Sequence, residues 1–139
     1  GTRMFSSGTS RHQASIPVTM KAAMIRETGD ADVIKTETDV PVPELADGQC
    51  LIKNVFSGLN FIDTYHRSGL YARDLPFAGG QEGAGIVAKT TPKAEEMGIK
   101  EGDRVAYNSF FSYAEYTPVP AAKLLPVPDA VGLDVATAL

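Results

Sequence analysis

The chemistry-bearing residues of this chain concentrate in residues 57–71 (SGLNFIDTYHRSGLY). That stretch holds an amide (Asn60), a carboxylate (Asp63), two phenols (Tyr65 and Tyr71), an imidazole (His66) and a guanidinium (Arg67). Side chains three or four residues apart share a helix face. A helix beginning near Asn60 therefore brings Asn60 to Asp63, Phe61 to Tyr65, and Asp63 to Arg67. An aromatic body with a polar tip suits a flat ligand that needs stacking and a hydrogen bond. Each residue also has a plainer reading. Asn60 fits a helix cap, Asp63 and Arg67 an i,i+4 ion pair, and Tyr65 and Tyr71 packing aromatics. A second polar pair, Gln81 and Glu82, precedes Gly83 and Gly85. No metal site is expected: His12, His66 and Cys50 are too scattered to form a ligand set. His66 reads as a helix-surface residue and Cys50 as a small buried hydrophobe.

These residues need a scaffold, and its pattern is mainly β. Residues 21–26 (KAAMIR) and 33–40 (VIKTETDV) read as strands about a turn at Thr28-Gly29-Asp30. Pro41 and Pro43 exclude a central strand there. Residues 49–57 (QCLIKNVFS) alternate, with Leu51, Lys53 and Val55 on one face and Cys50, Ile52, Asn54 and Phe56 on the other. The helix over residues 60–68 has Ser57 or Asn60 to cap it and Gly69 to close it. Residues 75–80 read as a loop. Residues 82–91 read as a strand whose glycines mark close backbone approach or a bulge. Residues 104–107, 113–118 and 124–128 read as further short strands. Residues 129–139 read as the opening of a helix with Asp134 as a possible cap. Short strands with Gly/Pro turns indicate a partly open barrel rather than a βαβ sheet.

The 139 residues are 43% hydrophobic, enough for a packed core without disulfides and too many for a disordered chain. No apolar run approaches the roughly 20 residues of a membrane-spanning helix. Lys and Arg number 13 against 17 Asp and Glu, so the net charge is −4, and no basic footprint for nucleic acid is visible. Residues 1–19 have arginines, serines and no acid, which fits either an expression remnant or an organelle transit segment. The expected organisation is this tail, a β domain over residues 20–128, and a helix start over residues 129–139.

Several stretches, in order, carry a family resemblance: residues 20–23 (MKAA), 57–71, 80–87 (GQEGAGIV) and 102–107 (GDRVAY), extended by 112–116 (SYAEY) and 125–128 (LPVP). Together they resemble the zeta-crystallin-type NADPH:quinone oxidoreductases of the medium-chain dehydrogenase/reductase superfamily. The resemblance implies a GroES-like catalytic domain, a partly open β-barrel with short helices. It also implies a Rossmann domain binding NADPH, which this chain does not contain. No G-x-G-x-x-G occurs, and the glycines of residues 80–85 lead into a strand rather than the helix a phosphate loop needs. The 139 residues alone are therefore expected to be inactive.

Zinc-dependent members of the superfamily place a cysteine at the position of Asn60 and a histidine at that of Gln81. Amides are poor zinc ligands beside thiolate and imidazole, and a single cysteine excludes a structural site built of several. Without a Lewis acid on the carbonyl, alcohol oxidation gives way to reduction of an electrophilic quinone or enone. The resemblance implies that Asn60, Tyr65 and Tyr71 line the nicotinamide and substrate pocket, with Arg67 either reaching cofactor or pairing Asp63. Glu82 is expected to make a structural hydrogen bond. Two departures stand out: residues 90–98 (TTPKAEEMG) replace the family's V-G-x-x-V turn, and Gly79 stands where a proline is common. The family also implies a homodimer of the whole protein in the cytoplasm, or in the mitochondrion if residues 1–19 are a transit segment. An RNA-binding module and a crystallin-like structural protein are the alternative readings.

Overall fold

The computed structural model describes residues 15–138. The readings made on residues 1–14 lie outside them. Ile16 already packs against the core, so packing begins within the segment read as a tail. Among the described residues, eight antiparallel strands form two sheets. One has three strands, with β1 (Thr19–Ile25) between β2 (Ile34–Pro41) and β4 (Phe77–Ala78). The other has five, ordered β7 (Tyr116–Pro120), β3 (Gln49–Gly58), β5 (Glu82–Lys89), β6 (Arg104–Asn108) and β8 (Leu124–Pro126). Short helices α1 (Phe61–Ser68), α2 (Pro92–Glu96) and α3 (Leu133–Thr137) complete it. The partly open, mainly β domain is as the sequence implied.

Proline placement follows from the missing N–H donor. Pro41, Pro118 and Pro120 all lie on edge strands. The alternation holds in the first part of β3, where Cys50 and Ile52 join one core cluster with Val87, Val105 and Val119 and Leu51 faces another with Met20, Met24 and Tyr116; at the register shift between Asn54 and Phe56 it lapses, and Val55 and Phe56 are both exposed. Cys50 is fully buried, and burial pushes its thiol pKa up. The glycine signal in β5 has a steric cause. A Cβ at Gly85 would strike the Lys53 carbonyl oxygen, where the β3–β5 register shifts between Asn54 and Phe56. Both close approach and irregularity are therefore present.

Three local expectations change. Phe77–Ala78 forms a short strand on β1 instead of pure loop, because β1 needs a partner on its free side. Residues 90–98 contain α2, with Pro92 at its first turn. Thr91 holds that helix by donating to Gln49 O at 2.9 Å and accepting from Gly48 N–H at 3.0 Å. In α3 the cap position is Gly132, and Asp134 lies in the first turn.

The two sheets meet along residues 112–115. Ala22 bridges Ala114, Ala23 N–H donates to Tyr113 O at 2.8 Å, and Asn54 N–H donates to Glu115 O at 2.9 Å. Side chains reinforce this seam. Asn54 Nδ2 donates to Ala114 O and Thr117 Oγ1, both at 2.8 Å, and buried Tyr107 donates its hydroxyl to Asn54 Oδ1 at 2.6 Å. Burial pushes the Tyr107 phenol up to about 12. Because the folded value is raised, this contribution to stability is complete below the unfolded value near 10 and is lost as pH rises toward 12. Tyr107→Phe should therefore flatten the alkaline loss of stability in denaturant titrations above about pH 10. It should also destabilise the fold at neutral pH by about 1–3 kcal/mol, because Asn54 Oδ1 loses its donor. An alkaline profile identical to that of the native sequence would contradict this account.

Candidate functional site

Helix α1 starts at Asn60, whose extended backbone makes it the cap, and ends at Gly69 in the left-handed region at φ 87°. Asp63 sits at the third helical position and accepts the Asn60 N–H at 3.0 Å, and the Asn60 side chain faces the Asp63 main-chain N–H in return, a capping box. The Asn60 side chain reaches across to the start of β5, where Nδ2 donates to Glu82 Oε2 at 2.7 Å. The expected Asn60–Asp63 pairing is present, and Glu82 makes a hydrogen bond to Asn60.

The expected Asp63–Arg67 ion pair is not formed. The Asp63 carboxylate instead accepts the Tyr113 hydroxyl at 2.7 Å as well as the Asn60 N–H. Arg67 turns to the β1–β2 connection, where its Nε donates to Gly29 O at 3.3 Å and its own carbonyl accepts Gly29 N–H at 3.0 Å. Fixed donors from the fold win over a flexible pair along one helix. Burial, and then the hydrogen bond to Asp63, hold the Tyr113 phenol well above the usual tyrosine range, so it stays a donor.

Tyr65 and Tyr71 pack edge to face with ring centres 5.3 Å apart. The Tyr71 N–H donates to Tyr65 O at 3.1 Å, which holds the loop beyond the helix. Phe61 packs edgewise on Tyr65 at 5.7 Å. His66 is half-buried, with both ring nitrogens covered. Its ring packs against Tyr71 and Phe110, and neither nitrogen reaches water or a hydrogen-bond partner among the described residues. Beyond Phe110 lies Arg73, its guanidinium 3.3 Å from the ring centre and its pKa lowered by burial. Aromatic groups thus run continuously from Phe61 to Phe110. Leu59 and Phe61 beside it are 87% and 78% exposed, leaving an apolar face open next to Asn60.

Sequence reasoning did not find Tyr113, Phe110 or Arg73 as parts of this region. Their signal was an adjacent Phe110-Phe111 pair inside a polar loop, with a tyrosine two residues beyond. That loop lies over Gly79 and Gly80. Phe111 N–H donates to Gly80 O and Tyr113 N–H to Gly79 O, both at 2.9 Å. Gln81, at the position where zinc relatives place histidine, donates from Nε2 to Asn108 Oδ1 at 3.4 Å.

Residues 46–129 match the family described as the alcohol dehydrogenase GroES-like domain. The chain belongs to this family. Within it, the GroES-like domain is 40% identical to human quinone oxidoreductase over 101 residues, covering 70% of this chain and 30% of that protein. It is 40% identical to the chloroplastic NADPH-dependent alkenal/one oxidoreductase of Arabidopsis thaliana over 119 residues, covering 76% and 30%. The solved structure of Escherichia coli quinone oxidoreductase complexed with NADPH matches at a TM-score of 0.78 and 32% identity, over 85% of this chain and 36% of that one. The chain spans about a third of the length of the curated relatives it matches. The motif resemblance read from residues 57–71 and 80–87 therefore leads to the family that the comparisons show.

Gly80 has φ 90°, and a Cβ there would fall on Ser112 Oγ and 2.6 Å from Tyr113 Cδ1. Gly80→Ala should lower stability by roughly 1–3 kcal/mol through backbone strain and displace the Tyr113 ring. Chemical denaturation and the Tyr113 ring resonances check this; a variant with native stability would contradict it.

Proposed function

We propose that this GroES-like domain is the catalytic domain of a zinc-independent, NADPH-dependent reductase of quinones or enones. The observation that carries the reading is the grouping of the Tyr65–Tyr71 pair beside the Asn60 cap, next to the exposed apolar face of Leu59 and Phe61. A planar, largely apolar ligand with polar edges fits a wall of this kind. The relatives named for quinones and alkenals favour the same substrate class. When bound, NADPH supplies the reducing equivalents, and the protein supplies orientation and exclusion of water.

Asn60 would hold the nicotinamide end by hydrogen bonding, and Tyr65 and Tyr71 would cover the ring system of the substrate. The exposed face beside them suits cover by a second, nucleotide-binding domain. Zinc independence is supported by the residue types: Asn60 is engaged with Glu82 and Gln81 with Asn108, and both are amides. Among the described residues no group of three His, Cys, Asp or Glu side chains stands close enough to hold a metal.

The complete protein should oxidise NADPH in a quinone-dependent manner, and the isolated 139 residues should not. Tyr65→Phe in the complete protein should shift the quinone KM or the turnover by about tenfold, the scale of one hydrogen bond made at the reacting ligand. Absence of quinone and enone reduction by the complete protein would overturn the reading. Unchanged kinetics would remove Tyr65 from it.

A further inference from the structure

We infer that Glu82 and Tyr113, which lie outside the helix motif, are positioning residues that hold Asn60 for its ligand from two sides. The consequence for binding rests on the reading of Asn60 as a cofactor contact. The positioning itself rests on geometry alone. Glu82, at the start of β5, accepts the Asn60 amide N–H at 2.7 Å. A carboxylate has no hydrogen to give when ionised, so it dictates which end of the amide faces it. The capping box turns the Asn60 amide oxygen toward the Asp63 main-chain N–H, and Glu82 fixes the nitrogen on the opposite side. With Glu82 in place the amide nitrogen stays on the β5 side, with one N–H committed and a second left for a ligand.

Tyr113 acts on the other side, through Asp63. Its hydroxyl donates to Asp63 Oδ2 at 2.7 Å, and the same oxygen accepts the Asn60 main-chain N–H at 3.0 Å. The phenol thus seats the carboxylate that sets the Asn60 backbone. Both ends of the arrangement are anchored in the barrel. The Tyr113 ring lies against Gly79 and Gly80, where a Cβ would come within 2.8 Å and 2.6 Å of its carbons. The Glu82 N–H donates to Ser112 Oγ at 3.2 Å, and Ser57 Oγ donates to Ser112 O. One loop, residues 109–115, therefore supports both positioning residues. A side chain at Gly58 would collide with the Glu82 carboxylate, so the bare backbone there leaves the space that the carboxylate fills.

The arrangement defines a test that a merely structural role would not pass. In the complete protein, Glu82→Ala should weaken NADPH binding about tenfold, the scale of a hydrogen bond to a charged group. Glu82→Gln can still accept the Asn60 N–H through Oε1 and should recover most of that loss. Tyr113→Phe should weaken binding less. Each effect should vanish in an Asn60→Ala background, because positioning residues act only through Asn60. Additive losses with Asn60→Ala would overturn the inference. So would failure of Glu82→Gln to rescue while the melting temperature stays native.

A second readout does not depend on the functional reading. In the ligand-free protein, the Asn60 side-chain amide proton held by Glu82 should resonate downfield of its position in an unbonded asparagine amide, and Glu82→Ala should return it to that position. An unchanged resonance would overturn the positioning claim whether or not the protein binds NADPH. A downfield resonance that moves as stated, without NADPH binding in the native sequence, would uphold the positioning and overturn only the cofactor reading.

Discussion

The hydrogen bond from Tyr113 to Asp63 links the barrel to the helix that carries the candidate site. Asp63 lies in the first turn of α1, and Tyr113 lies on the seam where the two sheets meet. Without that bond α1 would be joined at this end by its own connection and by Asn60 to Glu82. Arg67 and Gly29 fasten the other end. A helix of eight residues is marginal by itself. Its position is therefore set by tertiary contacts, and the site inherits its geometry from them.

The seam is held by buried polar groups rather than by apolar packing alone. Asn54, Tyr107 and Thr117 satisfy one another and the loop carbonyls of Phe111 and Ala114. A network of this kind is directional, so it fixes where the loop runs as well as how firmly. Phe111 adopts a left-handed backbone at φ 75° within that loop, and Thr117 donates to its carbonyl at 2.8 Å. Such a conformation persists where its surroundings over-determine it. The same loop sends Phe110 into the aromatic wall and Tyr113 toward Asp63, so one set of buried hydrogen bonds places both.

Much of the scaffold was legible because its signals are local. The alternation over residues 49–57 separates Cys50 and Ile52 from Leu51, and the structure puts them in different core clusters. Gly69 marks the end of α1, and Gly85 marks the close approach of β3 and β5. The less legible features depend on distant partners. The two residues of β4 make a strand only because β1 lies beside them. Asp63 looks like the natural partner of Arg67 four residues on, yet a hydroxyl fifty residues away takes it. His66 has the spacing of a surface residue until Phe110 covers it. Asn60, Tyr65 and Tyr71, the residues proposed for the site, were singled out by the motif over residues 57–71. Glu82 stood out beside its glycines, but its partner Asn60, 22 residues away, did not follow from the pattern, and neither did the reach of Tyr113 to Asp63.

In the proposed arrangement Asn60, set by Glu82 and Tyr113, meets the nicotinamide at the head of an aromatic wall. A crystal structure of the complete protein with NADPH tests this most directly. The account predicts the nicotinamide within hydrogen-bond reach of the Asn60 side chain, next to the Tyr65–Tyr71 pair, with the Asn60–Glu82 bond intact. A nicotinamide bound away from α1, or an Asn60 amide that leaves Glu82 on binding, would contradict it.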